Sequence, residues 1–181
     1  VMNFRNTSRM AFFILGTLLL TSPLHATTYT WTNTLGDVSD YWTNSANWSP
    51  ITGTPGSAGG DNAYLTNATG TTYTNILDVT PVNALATLAI SNPTGQAWLR
   101  ITNCTFNTAT LNLSTGARLV IDNGAVVTGI TSFGWTGTNG ALYINTGGKL
   151  ITAAALNWGN GFTGTVSALV AAGQGGVWNA G

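Results

Sequence analysis

From about residue 85 onward, apolar and polar side chains alternate in short runs broken by Gly and Asn. TLAI (Thr87–Ile90), WLRI (Trp98–Ile101), TLNL (Thr110–Leu113) and RLVI (Arg118–Ile121) each set apolar residues two apart. VV (Val126, Val127), LYI (Leu142–Ile144) and KLI (Lys149–Ile151) continue the series. A period of two puts alternate side chains on opposite faces of a strand, so these runs predict short β-strands with one buried face. Helical periodicity is absent outside residues 10–20.

The runs repeat. GARLVIDNGAVVT (Gly116–Thr128) aligns with GALYINTGGKLIT (Gly140–Thr152) at an offset of 24, which sets Val126–Val127 against Leu150–Ile151. A weaker copy, AWLRITNCTFNT (Ala97–Thr108), lies 20 residues before Ala117, with Leu99 over Leu119, Ile101 over Ile121 and Asn103 over Asn123. Trp135, Trp158 and Trp178 follow at spacings of 23 and 20. Periods of this length with several strands per period mark a solenoid.

The predicted fold is therefore all-β, a right-handed parallel β-helix, with a β-sandwich as the alternative that short strands also allow. Each turn would stack on the last at about 4.8 Å, so the ~100 residues from Leu85 would make about four coils. Leu, Ile and Val would form inward ladders, and Asn103 and Asn123 are candidates for a stack at one corner. Solenoid ends leave strand edges unpaired and call for caps. Residues 27–80, with YWTNSANWSP (Tyr41–Pro50) and a loop-like ITGTPGSAGGDN (Ile51–Asn62), stand where an aromatic-rich N-terminal cap belongs. Residues 81–181 are the repeats, and VWNAG breaks off where a next strand is due, which suggests an N-terminal fragment of a longer repeat protein.

Residues 1–26 read differently. Arg5 and Arg9 precede the apolar run Met10–Leu20, and TSPLHA ends on the small residue Ala26. That order describes a secretory signal peptide. The run falls short of the roughly 20 apolar residues that span a bilayer. The expected location is outside the cytoplasm, extracellular or on the outer cell surface, with membrane contact only through the signal or an anchor beyond residue 181.

Composition narrows the chemistry. Residues 27–181 hold three cations (Arg100, Arg118, Lys149), five Asp, no Glu and no His, since His25 belongs to the signal. So little charge gives no electrostatic footprint for nucleic acid. Without His there is no Ser-His-Asp triad and no His-ligated zinc, and the lone Cys104 makes neither an intrachain disulfide nor a thiolate cluster. No phosphate-cradling GxxxxGK[ST] occurs, and the one GxGxxG match, GNGFTG (Gly159–Gly164), has no helical pattern after it, so no cofactor is expected.

The segment TYTWTNTLGDVSDYWTNSANWSP, followed by TPGSAGGDNAYL, resembles the opening of bacterial exported proteins with autotransporter-associated β-strand repeats. The matching positions are Trp31, Trp42, Asn47–Trp48, Pro55–Gly56, Asp61 and Ala63, and NWGNGFTGTVSALVAAGQGGVWN (Asn157–Asn179) is similar to the repeat itself. The resemblance implies a β-helical, adhesin-like surface or secreted protein, sometimes ending in an outer-membrane barrel or sorting tail. It supplies no catalytic residue.

Two function classes follow. The first is a non-enzymatic exported surface or matrix protein whose partners are surface glycans or other cell-surface proteins. The second is a carbohydrate-binding or carbohydrate-active β-helix, lyase- or hydrolase-like, with its active site outside these residues. Glycosidases need two carboxylates about 5–10 Å apart. Asp37 and Asp40 sit three apart in a turn where Asp commonly binds its own backbone, and Asp61, Asp78 and Asp122 stand singly. No catalytic residue is assigned. Asp37, Asp40 and Asp61 are candidate calcium ligands by their hard oxygens alone. Trp135, Trp158 and Trp178 are candidates for stacking on sugar rings if they face outward. Inward, each would instead bury on the order of 200 Å².

Overall fold

A computed structural model describes residues 25–33, 39–145, 147–152, 156–157 and 178–179. The strands are β1 (Thr28–Trp31), β2 (Ser39–Tyr41), β3 (Trp48–Ser49), β4 (Asn62–Leu65) and β5 (Thr72–Leu77). There follow β6 (Leu85–Ile90), β7 (Gln96–Thr102), β8 (Thr105–Leu113), β9 (Ala117–Asp122) and β10 (Val126–Ile130). The last are β11 (Ser132–Trp135), β12 (Ala141–Ile144), β13 (Lys149–Thr152), β14 (Leu156–Asn157) and β15 (Trp178–Asn179). Among the described residues no helix is long and apolar enough to cross a membrane, and the signal-like residues 1–24 lie outside them.

Strands β1 to β13 fall into two sheets, and from β4 to β10 successive strands alternate between them. One runs β2-β5-β7-β9-β12, and the other β13-β10-β8-β6-β4-β1-β3 with β11 also paired to β8. Every neighbouring pair is parallel except β1 with β3. Sandwiches are built from antiparallel strands, so the fold is the β-solenoid, of about four turns. β8 is long because it serves two faces. Its start pairs β10 at Phe106↔Val127 and its end pairs β11 at Leu111↔Phe133. Between β10 and β11 the chain turns beside Gly129 (φ 80°), where a Cβ would stand 1.9 Å from Asn107 Oδ1. Only glycine fits that close approach in the left-handed region.

The register makes the core. Leu99, Leu119 and Leu142 stack in line, as do Leu77, Ile101, Ile121 and Ile144, all fully buried. On the other sheet Leu65, Ile90, Leu113 and Trp135 form one ladder, and Ala63, Leu88, Leu111 and Phe133 the next. The 20-residue match of Leu99 with Leu119 holds. The 24-residue offset does not: Leu119 meets Leu142, Val126 meets Lys149 and Val127 meets Leu150, each 23 apart. The turns carry the same offset, since Gly124 (φ 78°) corresponds to Gly147 (φ 74°) and not to Gly148. Because strand side chains alternate, a slip of one residue exchanges the inner and outer faces.

Asn103 (φ 55°) and Asn123 (φ 49°) occupy equivalent corners, as their 20-residue spacing predicts. Both are exposed, and Asn123 Nδ2 donates to Thr102 Oγ1 at 3.0 Å, so the corner is tied to the strand end below it. Polar residues also enter the ladders, Thr108 beside Leu85 and Thr152 beside Ile130 among them. Asn75 is fully buried at the head of the Leu99 column, with no protein group in hydrogen-bonding reach of its amide.

The aromatic segment caps the N-terminal end from within the sheets. β1, β4 and β5 already belong to the stack, so solenoid strands begin well before residue 81. Tyr29, Trp31 and Trp42 pack edge-on to Trp48, with ring centroids 6.4, 5.1 and 4.8 Å away. Trp48 is fully buried and donates its indole N–H to Trp42 O at 2.8 Å, while Trp42 donates to Pro55 O at 2.9 Å. Trp42 also meets Phe106 edge-on at 5.7 Å, joining the plug to β8. The two-residue β3 closes the sheet edge antiparallel to β1, and Pro50 directly after it has no N–H to continue the ladder. Short strands and proline are how sheet edges are blunted.

Candidate functional site

The outer face of the five-stranded sheet carries a groove of about 630 Å³. The ladders dictate its lining. With Ala97, Leu99 and Ile101 turned inward, Trp98 and Arg100 on the same strand must face out. With Leu142 over Leu119, Tyr143 must do the same. Trp98 and Tyr143, two strands apart, lie with their rings parallel, at an interplanar angle of 2° and a centroid separation of 6.0 Å. Both are half-buried, so each keeps part of its surface in solvent.

Neighbours fix the tryptophan. Its Nε1 donates to Gln96 Oε1 at 3.0 Å, and the buried Arg118 guanidinium carbon stands 6.0 Å from its ring centre. Arg118 is itself held by Asn139 Oδ1 at 2.9 Å, by Ala117 O at 3.1 Å and by Asn139 O. A cation near an aromatic ring is attracted by the ring's quadrupole, so the indole is braced before anything binds.

Beside the rings lies an ion pair. Arg100 Nη2 and Nε reach Asp122 Oδ2 at 2.8 and 3.0 Å. Asp122 is buried to 6 % exposure, and its other oxygen, Oδ1, has no protein partner. With Arg100 half in solvent the pair adds at most about 1 kcal/mol to stability. It sets a donor fork and an acceptor side by side, with no net charge between them. Ser39, Thr74 and Asn145 complete the polar rim. Apolar rings with a few convergent polar groups are the ordinary composition of a ligand site. Asp122 is the one carboxylate among the lining residues, whereas hydrolysis of a glycosidic bond takes a pair.

The candidates named from sequence are placed as follows. Trp135 is 4 % exposed and forms the rung above Leu113, beside Phe133 and Gly140, so its ring packs the solenoid and faces no ligand. Trp158 lies outside the described residues, and Trp178 is on β15, paired with β14 at Leu156. Asp37 also lies outside them. Asp40 accepts from Tyr41 N at 2.7 Å and from Asn33 Nδ2 at 3.1 Å. Burial alone would raise its pKa, but hydrogen bonds from Tyr41, Asn47, Asn44 and Asn33 prevail and lower it. Asp61 is fully buried on backbone donors. Among the described residues no three acidic, Cys or His side chains gather as a metal site.

Trp98 and Tyr143 are the site residues that the sequence reading missed. Period-two alternation in WLRI already turns Trp98 outward. Tyr143 was hidden by the 24-residue offset, which sets it over Leu119 and so inside. No protein-family model matches the chain, and neither a curated protein nor a solved structure matches it.

Proposed function

We propose that this is an exported, non-enzymatic, adhesin-like β-solenoid that binds glycans in the groove on its five-stranded sheet. The observation that carries the reading is the parallel Trp98–Tyr143 pair beside the Arg100–Asp122 fork. The C–H face of a sugar ring packs on an indole or phenol, and its hydroxyls pair with guanidinium, carboxylate, amide and hydroxyl groups at the rim. The groove is neutral overall, which suits a neutral or weakly charged polysaccharide. Export is supported by the order of charge, apolar run and small residue over residues 1–26, and by the resemblance of Trp31–Ala63 to the openings of autotransporter-associated repeat proteins.

The lone, ion-paired carboxylate favours binding over hydrolysis. Incubation of the exported protein with a panel of neutral polysaccharides tests both parts. The expected result is saturable binding with no new reducing ends. Release of reducing ends, or no binding across the panel, would contradict the reading.

A further inference from the structure

Asp61 has no part in the groove, yet among the described residues it is the carboxylate most removed from water, at 0 % exposure. It precedes β4 and is held by backbone donors alone. Oδ2 accepts from Gly56 N and Ala58 N, both at 3.0 Å, and Oδ1 accepts from Thr27 N at 2.8 Å. Arg100, Arg118 and Lys149 are not among its partners. A buried carboxylate is costly to hold ionised, and the cost is least when it is both hydrogen-bonded and paired with an opposite charge. Three amide N–H groups meet the first need and leave the second.

The third donor is distinctive. Thr27 directly follows Ala26, the small residue at which the signal is read to end, and Ala26 is exposed. Thr27 grips the same loop from its other side, since its carbonyl accepts Asn62 N at 2.8 Å. It also leads straight into β1, which brings Tyr29 and Trp31 to the aromatic plug.

We propose that removal of the signal sets a new Thr27 α-ammonium on Asp61, so that export processing supplies the buried carboxylate's counter-charge and pins β1. Water, delivered by a signal peptidase, adds across the Ala26–Thr27 bond. Ala26 leaves with the new carboxylate, and the Thr27 nitrogen keeps its electron pair and takes up protons to become an ammonium. The hydrogen bond to Oδ1 survives and gains a charge. In the unprocessed chain the same nitrogen is an uncharged amide.

Because this pairing rests on the export reading, its test has separable arms. The full chain is exported and its N-terminus is read by intact mass. Acylation of the terminal amine by acetic anhydride is then followed at neutral pH, with the exposed Lys149 amine as internal reference. The expected N-terminus is Thr27, and its acylation in the folded protein is slower than in the unfolded protein by about tenfold or more, the effect of a one-unit rise in ammonium pKa. A second protein carries one extra Ala after Ala26 and keeps that residue at its terminus, so that Thr27 N is again an amide. It should acylate at the unfolded rate and unfold at lower urea than the first at about pH 6, a difference lost at about pH 10. The sign follows from a raised ammonium pKa, whose stabilisation is present below the unfolded value of about 7.7–8.0 and disappears as pH rises through the folded one. An exported protein cut at another bond, a Thr27 amine acylated at the unfolded rate, or a urea difference indifferent to pH would each overturn the pairing and leave export standing. A chain retained in the cytoplasm with its signal intact would overturn the export reading with it.

Discussion

Tyr143 lies parallel to Trp98 because the residue before it, Leu142, sits on Leu119. One buried contact thus sets the geometry of a half-buried pair on the outer face. Parallel aromatic pairs contribute about 0.5–1.5 kcal/mol beyond their buried area. Trp98→Ala and Tyr143→Ala should therefore each destabilise modestly. The double variant should lose less than their sum, by that amount, in urea unfolding. Strict additivity would mean that the rings do not interact.

The plug is a different case, since Trp48 is fully buried among three aromatic rings. Trp48→Ala should cost about 3–5 kcal/mol, the usual loss for a large core side chain. The urea midpoint checks it, and an unchanged midpoint would return the ring to the surface.

Asn75 heads a column of leucines with its amide unpaired by any protein group. Leaving such a group buried costs about 1–3 kcal/mol. Asn75→Leu extends the column and should raise stability by about 1 kcal/mol or more, read from the same unfolding curves. A lower midpoint would show that the site needs the amide or lacks room for the methyls.

Cys104 is buried, and its Sγ lies 3.5 Å from Leu77 O. Burial pushes its thiol up to about 11, with the charge of Asp78 adding and a hydrogen bond from the Thr102 backbone opposing. At about pH 8, iodoacetamide should leave it untouched in the folded protein and label it on unfolding, as thiolates alone react. A thiol whose pKa is higher folded than unfolded stabilises below the unfolded value. Stability should therefore fall as pH rises from about 9 towards about 11. Fast labelling of folded protein would contradict the burial.

Much of this architecture is legible in the sequence, and its failures have physical causes. The match of Leu99 with Leu119 and Ile101 with Ile121 gives the true register, because there the buried apolar residues themselves set the alignment. Gly116–Thr128 against Gly140–Thr152 misleads, because matching Gly and Ala letters at turns outweigh the apolar ladder that fixes pairing. The spacing of Trp135 with Trp158 and Trp178 does not tell whether its ring faces out or in. Its place above Leu113 shows only once β11 is set on β8. Trp98 and Tyr143 are 45 residues apart in the chain, and no local pattern joins them.

The most direct measurement is calorimetric titration of the protein, and of its Trp98→Ala variant, with the neutral polysaccharide that binds best. The groove account predicts that the variant keeps the native circular dichroism spectrum and binds about tenfold more weakly or worse, a loss of roughly 1.4 kcal/mol. Equal affinity in the folded variant would contradict it.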